Sequence, residues 1–218
     1  MILKNTLTYA LGCIILMSLA MTAGAQSKNG KQQTPKLSLT QSFVDKQLDD
    51  AALQYKVLAK KADPNLLPKT YYADRDFLEN SKTSWWTSGF YPGTLLYLYE
   101  NSGDTSLWNE AAKKLDLLTV EKDNKGTHDL GFMLYCSFGN ADRLAANPAY
   151  KKVMLQGAES LISRFNPTVG CIKSWDHNKD KWQFPVIIDN MMNLEFLNWA
   201  SRESGDTKYA DIAKIHAN

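Results

Sequence analysis

The chain has 218 residues, of which 25 are Lys or Arg and 23 are Asp or Glu, so its formal net charge is +2, and 44% of its residues are hydrophobic. These values are typical of one globular domain with enough apolar side chains for a core. The balanced charge excludes the basic stripe that a nucleic-acid partner requires, and no basic amphipathic run predicts a helix on a membrane surface.

Residues 1–25 have the pattern of a secretory signal peptide. Lys4 precedes an apolar stretch over about residues 9–20, and Ala23-Gly-Ala25 places small residues where a signal peptidase cuts. We expect cleavage before Gln26 and export to the periplasm or the medium. A membrane anchor is the alternative, but this apolar stretch is too short to span a bilayer comfortably.

A polar leader separates this signal from the predicted domain. Residues 26–39 are rich in Gln, Lys, Ser and Asn and have no apolar period, which is typical of flexible chain. The domain is expected over residues 40–218, and it contains Cys136 and Cys171. In an oxidising compartment these two cysteines allow one disulfide, but both lie among apolar residues, so two buried thiols are an equal expectation.

Amphipathic helices are predicted where apolar residues recur every three or four positions. Ser42 opens a possible capping box, and helical spacing continues over about residues 42–60. Asn147-Pro148 supplies an N-cap followed by proline at the first helical position of another such helix. Strands are not predicted, because the β-branched run Val186-Ile-Ile188 is too short to seed a sheet.

Other segments are apolar on every side and therefore predict buried helices. Leu95-Leu-Tyr-Leu-Tyr99 and the residues after His128-Asp129 have this character. The turn Ser-Gly-Asp-Thr occurs at 102–105 and again at 204–207, each time between a buried helix and an amphipathic one. The repeating unit is an inner helix, a turn, an outer helix and a long loop. Stacked units of this kind predict an all-α superhelix or toroid.

Asp189 is the first candidate for a catalytic residue. It follows Val186-Ile-Ile188 and precedes a run rich in Met, Leu, Phe and Trp. Desolvation disfavours the charged form of a carboxyl, and a carboxyl that keeps its proton near neutral pH can act as a general acid. The alternative is a helix N-cap, whose side chain accepts backbone N–H groups and whose charged form is favoured by the helix N-terminus.

Three loops carry unusual residues to the starts of the buried helices. These are Trp85-Trp86, then His128-Asp129, then the stretch from Trp175 through Trp182 to Asn190. If the hairpins pack side by side, these segments converge on one mouth. Indole rings beside acids suit a carbohydrate, because sugar C–H faces stack on indole and hydroxyls require polar partners. Ordinary core packing is the alternative for the tryptophan pair.

A metal or cofactor is not predicted. The chain has three histidines, His128, His177 and His216, and no His-x-x-x-His or Cys-x-x-Cys pattern. A Gly-x-Ser-x-Gly elbow and a phosphate-binding loop are also missing from the sequence. Two acids on neighbouring loops are the remaining catalytic constellation.

Four segments, in this order and spacing, closely resemble the unsaturated glucuronyl hydrolases of glycoside hydrolase family 88. They are Trp86-Thr-Ser-Gly-Phe-Tyr-Pro-Gly93, His128-Asp-Leu-Gly-Phe132, Gly170-Cys-Ile-Lys-Ser-Trp175 and Ile187-Ile-Asp-Asn-Met-Met-Asn193. The resemblance runs from about residue 40 to the last residue. It implies an (α/α)6 barrel and an enzyme that removes a 4,5-unsaturated uronic acid from the non-reducing end of oligosaccharides made by polysaccharide lyases.

The resemblance also implies roles for individual residues. Asp189 matches the general acid and base that protonates C4 of the vinyl ether before water adds at C5 and the hemiketal opens. Asp129 matches a second aspartate that positions the substrate. The implied substrate-binding residues are Trp86, Trp175, His128 and Asn190. This chemistry differs from that of glycosidases whose paired carboxylates act at the anomeric carbon.

A complete six-hairpin barrel, at roughly fifty-five residues per hairpin, requires well over three hundred residues. We therefore expect the N-terminal part of such an enzyme, and turnover by these residues alone is a separate hypothesis. An unsaturated rhamnogalacturonyl hydrolase on the same barrel is the close alternative. A non-catalytic helical repeat that binds glycans or protein partners is the alternative from another class.

Overall fold

The computed structural model describes residues 39–218, and helical hairpins dominate this part of the chain. The α-helices are α1 Gln41–Lys61, α2 Phe90–Ser102, α3 Thr105–Leu118, α4 Asn140–Leu144, α5 Pro148–Ile162, α6 Asn190–Ser204 and α7 Lys208–Ala217. A π-helix, π1 Gly131–Gly139, leads directly into α4. The predicted signal peptide and, apart from Leu39, the predicted leader lie outside the described residues.

Helix α1 confirms the amphipathic helix predicted over residues 42–60, but its cap is a different residue. The Oγ1 atom of Thr40 accepts a hydrogen bond from the backbone N–H of Phe43 at 3.2 Å. Thr40 has the extended backbone that an N-cap requires, whereas Ser42 already lies inside the helix. The capping box predicted to start at Ser42 is therefore wrong by two residues.

An antiparallel hairpin that the sequence did not predict follows α1. Strand β1, Leu67–Tyr72, pairs with β2, Phe77–Ser81. Pro68 obscured the strand because it donates no ladder hydrogen bond, and a register irregularity directly after it accommodates this residue. A second, shorter hairpin joins β3 Phe165–Asn166 to β4 Cys171–Ile172.

The repeated Ser-Gly-Asp-Thr turn has the same geometry at both of its positions. Gly103 and Gly205 end α2 and α6 with φ values of 69° and 75°, in the left-handed region that glycine adopts without steric cost. Asp104 and Asp206 then accept backbone N–H groups two residues later, at 2.9 and 3.0 Å. The repeat predicted from sequence is therefore also a repeat of hydrogen bonds.

The inner layer consists of α2, π1 and α6, with π1 packed against both of the others. The backbones approach closely where glycine replaces a side chain. A Cβ atom on Gly89 would lie 2.1 Å from the carbonyl oxygen of Phe132, and one on Gly131 would lie 2.7 Å from Oδ1 of Asn193. This close packing brings the starts of the three inner helices to one end of the layer.

The described residues also include both cysteines of the predicted domain. Cys136 and Cys171 are both free thiols and both half-buried, so of the two alternatives the structure has the free thiols and not the disulfide. Burial raises the pKa of the Cys136 thiol to about 11. Within residues 39–218, none of the helices combines the length and the apolar character needed to cross a bilayer.

Candidate active site

Two loops bring their acids to the same histidine. Nε2 of His128 lies 3.1 Å from Oδ1 of Asp129 and 3.7 Å from Oδ1 of Asp189. His128 and Asp129 precede π1, and Asp189 precedes α6. Packing of these two helices therefore brings together acids that are sixty positions apart in the chain. The predicted convergence of these two loops is present in the structure.

Asp189 occupies the N-cap position of α6 without acting as a cap. Its backbone is helical, with φ −65° and ψ −16°, and its side chain accepts no cap hydrogen bond. Its Oδ1 atom is buried and has no hydrogen-bond partner among the described residues, although the side chain as a whole is 42% exposed. The carboxylate is therefore turned towards His128 and open space rather than towards the helix.

The apolar residues before Asp189 do not cover it as expected from the sequence. Ile188 is 86% exposed, and Val186 and Ile187 are 39% and 38% exposed. They form irregular chain rather than a strand. The sequence predicted that these three apolar residues would shield Asp189 from water. In the structure they do not, because they are themselves exposed.

Asp129 is held more firmly, through both of its carboxylate oxygens. Oδ1 faces the ring of His128, and Oδ2 accepts a hydrogen bond from the Thr127 hydroxyl. The backbone N–H of Asp129 in turn donates to Oγ1 of Thr127 at 3.1 Å. The Asp129 side chain is only 16% exposed. This carboxylate is fixed in direction, in contrast to Asp189.

The aromatic candidates lie on two separate loops. Trp86 is 43% exposed, and its ring packs against Phe90 and Phe132, with both centroid distances 6.0 Å. Trp175 stacks on His177 at 5.2 Å and meets Trp182 edge to face at 6.5 Å. Both loops thus present aromatic surface. Trp86 reaches π1 through Phe132, while Trp175 directly follows a residue that is hydrogen-bonded to His128.

Asn190 is oriented differently from its neighbour Asp189. Its side chain is fully buried, and Nδ2 donates to the carbonyl oxygen of Ile172 at 3.0 Å. Its Oδ1 atom has no partner among the described residues. Asn190 therefore fastens the start of α6 to β4, and its proposed contact with substrate stays a prediction.

Sequence reasoning overlooked two polar residues of this region. Thr127 orients Asp129, and Asn193 accepts the backbone N–H of Phe132 through its Oδ1 at 3.1 Å. Asn193 is fully buried in the first turn of α6. The signals that could have identified them are a hydroxyl two residues before an acid and an Asn-x-x-Asn spacing in an apolar helix.

The same three side chains also have the donor atoms of a possible metal site. His128, Asp129 and Asp189 each offer one ligand atom, and these atoms lie within 4.8 Å of one another. A metal-bound histidine normally donates its other ring N–H to a carboxylate or carbonyl, which fixes the ring. Nδ1 of His128 is buried and has no such partner in the described part of the chain. The donor set therefore fits two acids beside a histidine better than a metal centre.

The known proteins that are similar in sequence have closely related names. An unsaturated glucuronyl hydrolase of Formosa agariphila is 50% identical over 134 residues, which are 61% of this chain and 34% of that protein. An unsaturated chondroitin disaccharide hydrolase of Streptococcus pyogenes serotype M1 is 32% identical over 135 residues, which are 60% of this chain and 34% of that protein. No protein-family model matches the sequence.

A solved structure gives the corresponding result for the fold. The unsaturated glucuronyl hydrolase specific for heparin matches with a TM-score of 0.76 and 43% identity, over 82% of this chain and 47% of that chain. The match confirms the six-hairpin glycosidase fold predicted from sequence. The present chain spans about a third of its curated relatives and about half of this solved chain. By sequence and by fold, it is similar to the unsaturated glucuronyl hydrolases, as its four motifs indicated.

Proposed function

We propose that this chain carries the acid residues of a glycoside hydrolase that removes a 4,5-unsaturated uronic acid from the non-reducing end of an oligosaccharide. The observation that carries the proposal is the convergence of Asp129 and Asp189, from two loops, on His128. Both loops belong to the motifs that resemble this family. Relatives named for glucuronyl and chondroitin disaccharide substrates support the same chemistry.

The different settings of the two acids support different roles. The Asp189 side chain is 42% exposed although its Oδ1 is buried, so the exposed part of its carboxyl can deliver a proton to C4 of the vinyl ether and take one from the water that adds at C5. Asp129 has both oxygens engaged, which suits a residue that orients substrate and neighbouring groups. The hemiketal formed at C5 then opens and releases the remaining sugar.

The aromatic residues suit the sugar itself. A half-exposed indole such as Trp86 offers a flat face on which sugar C–H groups stack. Trp175, with its buried and unpartnered Nε1, offers a ring edge that can donate a hydrogen bond after a small movement. His128 and Asn190 complete the proposed substrate-binding set. The reaction requires acid and base groups only, so we propose no cofactor.

The proposal extends to the location of the enzyme. Residues 1–25 have the features of a cleaved signal, so we propose that the protein is exported to the periplasm or the medium. Such a location fits an enzyme that receives oligosaccharides from lyases acting on extracellular polymers. As the substrate class we propose unsaturated disaccharides from glycosaminoglycans, because the relatives are named for chondroitin disaccharide and for heparin.

The proposal is tested by an ultraviolet assay. The chain is incubated with an unsaturated glucuronyl disaccharide, and loss of absorbance from the conjugated C4=C5 acid is followed. Asp189→Asn is expected to lower turnover by about a hundred- to ten-thousandfold, because it removes the general acid. Asp116→Asn, at an exposed position of α3, is the matched control and is expected to retain turnover.

Three outcomes separate the alternatives. Turnover that is retained in Asp189→Asn contradicts the role given to this acid. Disaccharide binding, followed by tryptophan fluorescence, without turnover in the unmodified chain favours a non-catalytic glycan-binding protein. Faster turnover of an unsaturated pectin disaccharide than of the glucuronyl substrate favours the rhamnogalacturonyl alternative.

A further inference from the structure

Ser174 connects the two segments that carry the acids. It is only 1% exposed and makes three hydrogen bonds with other parts of the chain. Its carbonyl oxygen accepts the backbone N–H of His128 at 3.2 Å, and its own N–H donates to the carbonyl of Pro185 at 2.9 Å. Its Oγ atom accepts the backbone N–H of Ile187 at 3.0 Å.

These partners lie directly beside the proposed catalytic residues. His128 precedes Asp129, and Ile187 lies two residues before Asp189. One side of Ser174 thus fixes the first acid segment and the other side fixes the second. The separation of the two carboxylates depends on this residue as well as on the contacts of the helices behind it.

Ser174 is itself well anchored. Arg164, 8% exposed, donates through Nε to the carbonyl of Lys173 at 2.7 Å, and the N–H of Lys173 donates to the carbonyl of Arg164 at 3.0 Å. On its other side, Asp176 pairs with Nη1 of Arg164 at 2.9 Å. Lys173 and Arg164 together lower the pKa of Asp176 to about 2. The strand-like segment around Ser174 is therefore tied to the end of α5 and can serve as a fixed support.

We propose that Ser174 is a positioning residue that sets the placement of Asp189 relative to Asp129. This inference rests on the proposed function, since it assigns a consequence for turnover. Displacement of a catalytic group by about 1 Å can cost about a hundredfold in rate, so a support between the two acids affects kcat more than binding.

The side chain and the backbone of Ser174 make separable contributions. Two of its three bonds use backbone atoms and persist in any substitution that keeps the loop folded. Only the bond from the Ile187 N–H depends on the hydroxyl. Ser174→Ala therefore removes one of the two bonds that hold the Asp189 segment, namely the one nearer to Asp189, while the backbone bonds to Pro185 and His128 remain.

Ser137 provides a matched control. It is fully buried, and its hydroxyl donates to the carbonyl of Met133 at 2.6 Å within its own helix. Ser137→Ala removes the same atom from a buried site, but it releases neither acid segment. Both variants are expected to show similar small losses in melting temperature.

The experiment measures turnover and amide hydrogen exchange in the full chain. In Ser174→Ala we expect kcat per folded molecule to fall about ten- to hundredfold with KM within about threefold, and exchange at the Ile187 amide to become faster. Ser137→Ala is expected to change neither quantity by more than about twofold. Equal kcat in the two variants, at equal melting temperatures, contradicts the positioning role.

The exchange measurement separates this inference from the function on which it rests. Lack of turnover in the unmodified chain overturns the proposed function and, with it, the kinetic consequence. Unchanged exchange at Ile187 in Ser174→Ala overturns the positioning role whatever the turnover. Faster exchange at Ile187 together with unchanged kcat overturns the claim that this support matters for the reaction.

Discussion

The carboxylate of Asp129 depends on a single neighbouring hydroxyl for its Oδ2 contact. We predict that Thr127→Val, which keeps the shape and removes the donor, lowers kcat about tenfold. The physical reason is that a charge-assisted hydrogen bond orients the acid that positions the substrate. Steady-state kinetics with the unsaturated disaccharide measure this change.

Thr119→Val is the matched control for this prediction. Thr119 is also half-buried, and its hydroxyl donates to the carbonyl of Leu115 at 3.3 Å, away from the acids. Equal losses of kcat in the two variants would indicate a general effect of removing a hydroxyl and would contradict an orienting role for Thr127.

In the candidate site, the identity of the acids could be predicted from the sequence, but the direction of their side chains could not. The acids were found because Asp129 and Asp189 stand in recognisable motifs at the starts of apolar helices. The direction of each side chain was not predictable, because adjacent residues in a first helical turn point about 100° apart. Asp189 faces His128, while Asn190 faces β4. The packing of α6 against its neighbours determines which of the two side chains points towards the acid site.

At the scale of the elements, the contact between α2 and π1 depends on a missing side chain. A Cβ atom on Gly89 would meet two backbone carbonyls of π1 at 2.1 and 2.3 Å. We predict that Gly89→Ala lowers the free energy of unfolding by about 3 kcal/mol or more, because the backbone cannot move aside. Denaturant unfolding measures this change.

Gly157→Ala in α5 is the comparison for that prediction. Its Cβ atom would meet Cδ1 of Leu134 at 2.3 Å, which is the flexible tip of a side chain rather than a backbone atom. The expected loss is about 1–2 kcal/mol. A larger loss for Gly157→Ala than for Gly89→Ala would contradict the close backbone approach of α2 and π1.

Lys114 fastens α3 to the segment between α1 and β1. Its side chain is 1% exposed, and Nζ donates to the carbonyls of Asp63, Pro64 and Leu66 at 2.6, 3.3 and 2.9 Å. We predict that Lys114→Met destabilises the protein by about 2–4 kcal/mol, because three part-buried carbonyls lose their charged donor. Lys113→Met, at a 72% exposed position, is expected to change stability by less than about 0.5 kcal/mol in the same denaturant titration. Similar losses in both variants would contradict the tethering role of Lys114.

Helices were predictable and the other elements were not, for physical reasons that differ from case to case. Helix α1 and the Asn147-Pro148 start of α5 have local signals, namely apolar spacing and caps. Strand β1 lacks a period of two and contains Pro68, so only its pairing with β2 reveals it. The nine-residue π1 has no local signature, because its wider turn follows from packing against α2 and α6.

At the scale of the molecule, hydrogen bonds between distant segments hold the layers together at the start of α6. The carbonyl of Ile172 accepts from Asn190, and the N–H of Ile172 donates to Nδ1 of His216 in α7 at 2.9 Å. Both helices of the last described hairpin are thereby fastened to β4, which leads to Ser174. These links between layers require the folded arrangement and could not be read from local sequence.

The bond to His216 makes stability depend on pH in a defined direction. Burial, together with the nearby His128, lowers the pKa of His216 below its ordinary value of 6.5. The neutral ring is needed, because Nδ1 must keep its lone pair to accept the Ile172 N–H. Below about pH 6.5 the unfolded chain binds the proton more readily than the folded one. Stability is therefore complete above this value and is lost as pH falls towards the lowered pKa.

We predict that the free energy of unfolding decreases as pH falls below about 6.5, and that His216→Gln reduces this decrease. Denaturant titrations at a series of pH values measure it, with His177→Gln at an exposed position as the control that keeps the decrease. The carboxyl of Asp176, with its pKa of about 2, acts in a separate and more acidic window, below its ordinary value of 3.8. An unchanged pH dependence in His216→Gln would contradict the role of this ring as the link between α7 and β4.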